Sequence, residues 1–224
     1  MRNYTHLLFD LDGTLADSEE GIINSLSYAL HKAGINETDT AKLRSFIGSA
    51  LIKTLQEVYE IPEEPAEEIA SYYREYYIEK GIYENTLYPG IMELLTDLRK
   101  TDKYIILATA RHTAGALRVL DIFNLNEYFD LVVGGSQGQK IIEKTDVIRH
   151  VFEKTGNGIK KNAVMIGDRN FDILGARENG IDSIAVMYGY ATKEEIDEAK
   201  PTYRVDSVDE LSDLLFMPGT YRKS

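Results

Sequence analysis

Short apolar runs recur along the chain at intervals that suggest a buried sheet. There are five such runs, at His6–Asp10, Tyr104–Thr109, Asp130–Val133, Ala163–Gly167 and Ser183–Met187. Unbroken apolar runs of this length are typical of strands that are covered on both faces, as in a parallel sheet. The pattern therefore predicts five parallel strands.

Helical patterns follow the later runs. They cover Thr113–Leu120, Thr145–Thr155, Asn170–Asn179 and Lys193–Ala199. Two capping boxes indicate helix starts near Thr192 (TKEE) and near Ser207 (SVDE), because a hydroxyl followed three residues later by Glu satisfies free amide groups. Strands that alternate with helices predict an α/β fold with a doubly wound, Rossmann-like parallel sheet.

One region breaks this alternation. Between Leu15 and Tyr88 the sequence shows helical patterns only, divided by glycine and proline residues. The turn Tyr88-Pro89-Gly90 would return the chain to the sheet. We therefore predict a core domain formed by residues 1–15 and 89–224, with an α-helical cap domain inserted over residues 16–88.

Composition and charge narrow the classes of function. The chain has 224 residues, of which 43% are hydrophobic and 28% charged, and its formal net charge is −12. This charge argues against nucleic acid and anionic membranes as partners. The chain has no cysteine, which excludes disulfides, thiolate catalysis and zinc–thiolate sites. No apolar stretch has the length of a membrane span or the pattern of a secretion signal, so we expect a cytoplasmic protein.

The first run ends in two aspartates. In Asp10-Leu11-Asp12-Gly13-Thr14, both carboxylates can approach one reacting centre as the chain turns after the strand. Asp10 can attack phosphorus, Asp12 can handle the proton of the leaving group, and Gly13 permits a tight turn beside a phosphate. An acidic turn without a catalytic role is the alternative for this motif.

The next two features could bind phosphate. Thr109-Ala110-Arg111 follows the second run, where the hydroxyl, the next backbone N–H and the guanidinium can all contact phosphate oxygens. Lys144 precedes the helix at Thr145 and could neutralise both phosphate and a nucleophilic carboxylate. Taken alone, Thr109 could instead cap a helix beside a solvated Arg111, and Lys144 could be a surface lysine.

The fourth feature supplies further carboxylates. Gly167-Asp168-Arg169-Asn170-Phe171-Asp172 follows the fourth run. Asp168 and Asp172, together with Asp10 and the backbone carbonyl of Asp12, would form an oxygen-rich site suited to Mg²⁺. A helix cap at Asp168 is the alternative. Because all four features end predicted strands, they should meet at one edge of the sheet, where α/β proteins bind ligands.

This ordered set resembles the motifs of the haloacid dehalogenase (HAD) superfamily, over nearly the whole chain. DLDGT is similar to its first motif, Thr109 to its second, Lys144 to its third and GDRNFD to its fourth. The helical insertion resembles the cap of the subfamily with an α-helical lid. The segment GARENGIDSIAVMYGYATKEE resembles the phosphoglycolate phosphatase-like branch.

The resemblance implies roles for these residues. Asp10 would be the nucleophile, Asp12 the general acid and base, Thr109 and Lys144 the phosphoryl ligands, and Asp168 a Mg²⁺ ligand. Asp172 would act through water or as support. Relatives often carry a small polar residue and a lysine where this chain has Ala110 and Arg111, so the role of Arg111 stays open. The segment 134–143 (GGSQGQKIIE) matches no family feature.

The expected function is that of a Mg²⁺-dependent phosphatase for a small phosphomonoester, such as phosphoglycolate or a nucleoside monophosphate. Alternatives within the fold are a phosphosugar mutase and a pyrophosphatase. A non-catalytic phospho-acceptor module, like a response-regulator receiver, is the alternative outside enzymes. We expect a monomer or homodimer. A cluster of tyrosines in the insertion (Tyr72, Tyr73, Tyr76, Tyr77 and Tyr83) is more typical of helix packing than of base stacking.

Overall fold

The computed structural model describes residues 4–136 and 143–216. The chain divides into two compact units. The first comprises Met1–Ala16 and Leu87–Ser224, and the second comprises Asp17–Thr86. That each unit is a separately folding domain stays a prediction.

The first unit contains a six-stranded sheet with the order β5-β4-β1-β6-β7-β8. Its strands are β1 (His6–Phe9), β4 (Tyr104–His112), β5 (Leu131–Gly135), β6 (Ala163–Gly167), β7 (Asp182–Val186) and β8 (Tyr203–Val205). Every neighbouring pair is parallel. The predicted α/β fold with a parallel sheet is therefore confirmed, and all five predicted strands are present.

Helices flank this sheet. They are α5 (Ile91–Leu98), α6 (Thr113–Ile122), α7 (Lys144–Thr155), α8 (Asn170–Glu178), α9 (Lys193–Ala199) and α10 (Val208–Phe216). The hydroxyl half of each predicted capping box is made: the Thr192 hydroxyl accepts from the N–H of Glu195 at 3.2 Å, and the Ser207 hydroxyl accepts from the N–H of Glu210 at 3.1 Å. The carboxylates of Glu195 and Glu210 accept instead from the N–H groups of Asn170 and Asp206. None of the helices within residues 4–136 and 143–216 combines the length and apolar character that crossing a membrane requires.

The hydrophobic core fixes the positions of the central strands. Leu7, Leu8 and Phe9 of β1 have no exposed surface, because the strand is covered on both faces. Leu8 belongs to a cluster with residues of β4, β6, α7 and α8, including Ile106, Met165, Val147, Ile148, Val151 and Ala176. This packing aligns the carboxyl ends of β1, β4 and β6 along one edge.

Three details differ from the sequence prediction. Strand β4 continues to His112, beyond the predicted end at Thr109. Strand β8 was missed, because three residues are too short to show a periodic pattern. Helix α5 was missed as well, since its apolar positions adjoin the turn at Tyr88-Pro89-Gly90.

The second unit is helical. Its helices are α1 (Glu19–Lys32), α2 (Thr40–Arg44), α3 (Leu51–Tyr59) and α4 (Glu63–Glu79), followed by a 3₁₀ turn at Gly81–Tyr83. Two-residue strands, β2 (Ala16–Asp17) and β3 (Thr86–Leu87), pair with each other at the ends of the insertion. The prediction of helix alone over this region is therefore wrong at its two ends, where the strands are too short to leave a pattern.

The tyrosines of α4 mostly pack within this unit. Tyr72 and Tyr73 lie against an apolar cluster built around Leu26, Leu30, Leu43, Phe46 and Leu55. The ring of Tyr73 stacks on that of Tyr77 with centroids 5.6 Å apart, and Tyr77 is buried. Tyr83 is more than half exposed. Helix packing thus accounts for Tyr72, Tyr73 and Tyr77, as the spacing predicts.

We expect Leu8→Ala to lower the free energy of unfolding by about 3 kcal/mol, because it leaves a cavity in the centre of the sheet. Leu117→Ala on α6, where the leucine is 43% exposed, is the matched control and should change stability by less than about 1 kcal/mol. The shift in the urea unfolding midpoint measures both. Equal losses in the two variants would contradict the central placement of Leu8.

Candidate active site

The site begins where β1 and β6 end side by side. Phe9 and Ile166 are register partners, and the Asp10 N–H donates to the Ile166 carbonyl at 2.9 Å. Asp10 and Asp168 therefore leave neighbouring strands at the same edge of the sheet. Both side chains are buried, at 2% and 0% exposure.

Lys144 connects this edge to helix α7, whose first residue it is. Its ammonium nitrogen lies 2.7 Å from Asp10 Oδ1 and 2.8 Å from Asp172 Oδ1, and it donates to the Ala108 carbonyl at 2.9 Å. Lys144 thus makes one hydrogen bond to a carbonyl and two close ion-pair contacts. Burial opposes the charge, but attraction to the two carboxylates outweighs burial and raises the pKa of Lys144.

Three buried carboxylates form one cluster. Oxygens of Asp10, Asp168 and Asp172 lie within 4.8 Å of one another. Burial, and after it repulsion from the neighbouring carboxylates, raises the pKa of Asp168 well above its ordinary value. Burial also raises the pKa of Asp10, although Lys144 counteracts it. Three carboxylates beside one ammonium leave excess negative charge at this point.

The residues of this cluster fit a divalent cation. Asp168 Oδ2 accepts from the Tyr190 N–H at 2.8 Å, whereas Asp168 Oδ1 is buried without a hydrogen-bond partner in the part of the chain that the structure describes. A buried, unsatisfied carboxylate oxygen is costly unless it binds a proton or a cation. Carboxylate oxygens are the ligands that Mg²⁺ prefers. The donor set could therefore hold Mg²⁺, with Asp168 offering the available oxygen.

Glycines make room around Asp168. Gly13 has a φ of +78°, and a Cβ at this position would overlap the Asp168 carboxylate. A Cβ at Gly189 would overlap Asp168 and the Gly13 carbonyl. The backbone therefore approaches Asp168 closely from two sides, which only glycine allows.

Asp12 lies outside the carboxylate cluster and pairs with Arg111. The Arg111 Nη2 lies 2.5 Å from Asp12 Oδ1, and Nε donates to Asp12 Oδ2 at 2.9 Å. The alternative of a solvated Arg111 is therefore wrong. The sequence predicts the backbone carbonyl of Asp12, rather than its carboxylate, as a metal ligand, and that role stays a prediction.

A bulge in β4 explains the orientation of Arg111. Ala108 pairs with Val133 and His112 pairs with Gly135, so Thr109, Ala110 and Arg111 together face the single residue Gly134. A bulge of this kind redirects side chains at the rim of a sheet. Thr109 is buried within it, and its hydroxyl accepts from the Arg111 N–H at 3.2 Å. Thr109 therefore does not cap a helix, because α6 begins at Thr113 and is capped by His112.

The loop after β6 is held from α9. Glu195 Oε1 accepts from the Asn170 N–H and from Arg169 Nε, both at 2.9 Å. The N-cap of α8 is Arg169 rather than Asp168, and Asp172 Oδ2 accepts from the Arg169 N–H at 3.1 Å. The sequence prediction missed Glu195, Gly189 and Tyr190 as neighbours of the site. Glu195 stood out in the sequence only as part of the TKEE cap.

The predicted site residues thus fall into two adjoining groups of the first unit. Asp10, Lys144, Asp168 and Asp172 form one group, with Gly13 packed against Asp168. Asp12 and Arg111 form the other, with Thr109 and Ala110 in the same bulge. Segment 137–142, part of the unmatched stretch 134–143, lies outside the described residues.

Comparison with known proteins gives a consistent result. A family model described as haloacid dehalogenase-like hydrolase matches residues 7–186. A predicted phosphatase from Clostridium acetobutylicum superposes with a TM-score of 0.90 at 42% identity, over 95% of this chain and 98% of that structure. The resemblance stated from the motifs is confirmed by both.

Curated relatives carry several names. A 5′-nucleotidase of Pseudomonas aeruginosa is 36% identical over 89% of this chain and 90% of its own length. The tyrosine-protein kinase PtkA of Mycobacterium tuberculosis is 33% identical over 93% of this chain and 72% of its length. A phosphoglycolate phosphatase of Aquifex aeolicus is 30% identical over 82% of this chain and 85% of its own length.

We expect Lys144→Met, measured in EDTA, to lower the free energy of unfolding by about 3 kcal/mol near neutral pH, because it leaves buried carboxylates without their counterion. Since the pKa values of Asp10 and Asp168 lie above the ordinary value of about 4, the folded chain binds more protons than the unfolded chain. The free energy of unfolding therefore falls as the pH rises from the ordinary carboxylate pKa through the raised pKa values of Asp10 and Asp168. The loss of stability in Lys144→Met should accordingly shrink as the pH is lowered towards the ordinary pKa.

The matched control is Lys100→Met, which removes an ammonium that is 69% exposed. Urea unfolding at about pH 7.5 and about pH 5.5 measures both variants, and the control should differ from wild type by less than about 0.5 kcal/mol at each pH. A Lys144 deficit that is equal at both pH values would contradict carboxylate repulsion as its cause.

Proposed function

Because this chain belongs to the haloacid dehalogenase-like hydrolase family and is a phosphoric monoester hydrolase, we propose that it hydrolyses a nucleoside 5′-monophosphate through a phosphoryl group carried on Asp10. The observation that carries the chemistry is the contact of the buried Asp10 carboxylate with Lys144 at 2.7 Å. A buried carboxylate held by an ammonium beside other carboxylates is a charge arrangement suited to phosphoryl transfer.

The chain supplies the groups for two successive displacements. An Asp10 oxygen attacks the substrate phosphorus, the bond to the alkoxide oxygen breaks, and Asp12 gives a proton to that oxygen. Water then attacks phosphorus in the aspartyl-phosphate, Asp12 accepts a proton from the water, and inorganic phosphate leaves with the Asp10 carboxylate restored. Lys144 offsets charge on the transferring group in both steps. Thr109 is the candidate ligand for a phosphoryl oxygen.

Asp10, Asp168 and the backbone carbonyl of Asp12 would hold Mg²⁺, which would supply further positive charge to the site. Asp10, Asp168 and Asp172 each have a buried Oδ1 without a hydrogen-bond partner among the described residues. Asp168 is the strongest candidate ligand, because the other two oxygens lie beside the Lys144 ammonium. Asp172 fits a supporting role better, since one of its oxygens is beside Lys144 and the other accepts from the Arg169 N–H.

The substrate assignment has a different basis. The residues at the sheet edge contact a phosphoryl group whatever is attached to it, so the choice of a nucleoside 5′-monophosphate rests on the relative named 5′-nucleotidase. Phosphoglycolate is the second candidate, because another relative is named for it. Both are small phosphomonoesters and both use the same chemistry.

We expect wild-type protein to release phosphate from nucleoside 5′-monophosphates faster than from phosphoglycolate, sugar phosphates or pyrophosphate. Phosphate release should stop when EDTA is added. Asp10→Asn should lower turnover by roughly a thousandfold or more, because it removes the nucleophile. Asp102→Asn, at an exposed aspartate, is the control and should keep full activity. A malachite-green phosphate assay over the panel gives the rates.

A preference for phosphoglycolate would change the substrate assignment but not the proposed chemistry. Rapid turnover by Asp10→Asn would overturn the nucleophile. The protein can also be incubated with ATP labelled at the γ-phosphate. Transfer of the label to protein tyrosine, without phosphate release from the panel, would instead favour the activity named for the kinase relative.

We also expect the covalent intermediate to be trappable on Asp10. Borohydride reduces an acyl phosphate but leaves a free carboxylate unchanged, so quenching during turnover should convert Asp10 to homoserine. Mass spectrometry of the peptide that contains residues 6–14 detects the change, which should require substrate and be absent from Asp10→Asn. Reduction of a different aspartate under turnover would assign the phosphoryl group elsewhere.

A further inference from the structure

The guanidinium of Arg111 occupies both oxygens of Asp12. The two ion-pair contacts measure 2.5 and 2.9 Å, and the side chains are only 10% and 9% exposed. The residues are 99 positions apart in the chain, so the fold creates the pair. A two-point guanidinium–carboxylate contact at low exposure is strong and directional.

Packing fixes the direction of Arg111. Its backbone belongs to the bulge opposite Gly134, where a Cβ would come within 2.7 Å of the Arg111 carbonyl and the Thr113 nitrogen. The Cγ and Cδ atoms of Arg111 pass Gly115, 3.7 and 3.8 Å from where an added Cβ would lie, and the side chain is only 10% exposed. The guanidinium is therefore presented to Asp12 by a packed stem.

This pair conflicts with the part that Asp12 plays in the proposed function. A guanidinium has only donors and does not release its protons in proteins. Both oxygens of Asp12 are held by the guanidinium, so neither is available to a leaving-group oxygen while the two contacts last. Asp12 must therefore give up at least one contact with Arg111 to reach the substrate.

The incoming phosphate offers Arg111 a replacement. A phosphoryl group presents two oxygens at the spacing that a guanidinium matches, and it carries more charge than a carboxylate. The Arg111 N–H already donates to the hydroxyl of Thr109, the candidate phosphate ligand, at 3.2 Å. Arg111 thus contacts both Asp12, through its guanidinium, and the candidate phosphate ligand Thr109, through its backbone.

We propose that Arg111 is a positioning residue that exchanges partners. It holds Asp12 in the substrate-free protein, and it transfers to the phosphate when substrate binds, which frees Asp12 for proton transfer. The inference rests on the proposed function for the role of Asp12. Its direct consequence is thermodynamic: Asp12 and phosphate compete for one guanidinium, so removing the Asp12 charge should tighten phosphate binding through Arg111.

A double-mutant cycle on phosphate affinity tests the competition. Isothermal titration with inorganic phosphate, in buffer containing Mg²⁺, gives Kd for wild type, Asp12→Asn, Arg111→Gln and the double variant. Asp12→Asn also relieves general repulsion of phosphate, but that part is common to both backgrounds and cancels in the cycle. We expect Asp12→Asn to tighten binding at least about fivefold more when Arg111 is present than when it is Gln.

Two further variants control for the loss of positive charge and for the loss of the two-point contact. Arg118→Gln removes an exposed positive charge from α6 and should leave the response to Asp12→Asn as in wild type. Arg111→Lys keeps the charge but loses the two-point contact, so it should show a reduced coupling. Circular dichroism of every variant checks folding, and a misfolded Gln variant is replaced by the Lys variant in the cycle.

An Asp12→Asn effect of equal size with and without Arg111 would overturn the exchange and leave Arg111 as a structural partner of Asp12. Failure of wild type to bind inorganic phosphate would overturn it as well. If the protein hydrolyses the phosphomonoester panel but the coupling between Asp12 and Arg111 is zero, the partner exchange is wrong and the proposed function stands. A measurable coupling in a protein that hydrolyses none of them would instead count against the proposed function.

Discussion

The contact on which this site depends is the ammonium of Lys144 lying between Asp10 and Asp172. Three carboxylates converge at the edge of the sheet, and each would be costly to bury without a counterion. Lys144 comes from the first turn of α7, and α7 is itself held on the sheet by apolar residues such as Val147, Ile148 and Val151. The same helix therefore packs into the hydrophobic core and places the Lys144 ammonium in the charged site.

The sequence predicts much of this arrangement because the informative signals are local. Buried strands leave unbroken apolar runs, and polar residues at their ends mark the edge where ligands bind. The four features around Asp10, Thr109, Lys144 and Asp168 follow from that logic. The pairing of Arg111 with Asp12 does not, because it requires a bulge whose register is set by Gly134 on another strand. Glu195 was missed for the same reason: its acceptor role depends on where α9 lies, which no local pattern encodes.

The relatives that align with this chain are named for different reactions. A 5′-nucleotidase, a phosphoglycolate phosphatase and a tyrosine-protein kinase all align over most of this chain. Phosphoryl chemistry needs a nucleophile, positive charge and a proton carrier, and these can be shared while the donor and the acceptor change. In this chain Asp12, the proposed proton carrier, is bound at both oxygens by Arg111. A guanidinium binds a carboxylate at two points and a lysine at one, so Arg111 holds Asp12 more firmly than a lysine would.

The strand order has a consequence for synthesis of the protein. Strand β1 is made first but lies between β4 and β6, whose residues follow about a hundred and about a hundred and sixty positions later. Asp10 therefore lacks Lys144, Asp168 and Asp172 as neighbours until most of the chain has been synthesised. At an elongation rate of about 5–20 residues per second this delay is on the order of ten seconds. During that interval the apolar β1 is unpaired, so the nascent chain depends on late, non-local pairing both to protect its first strand and to assemble its site.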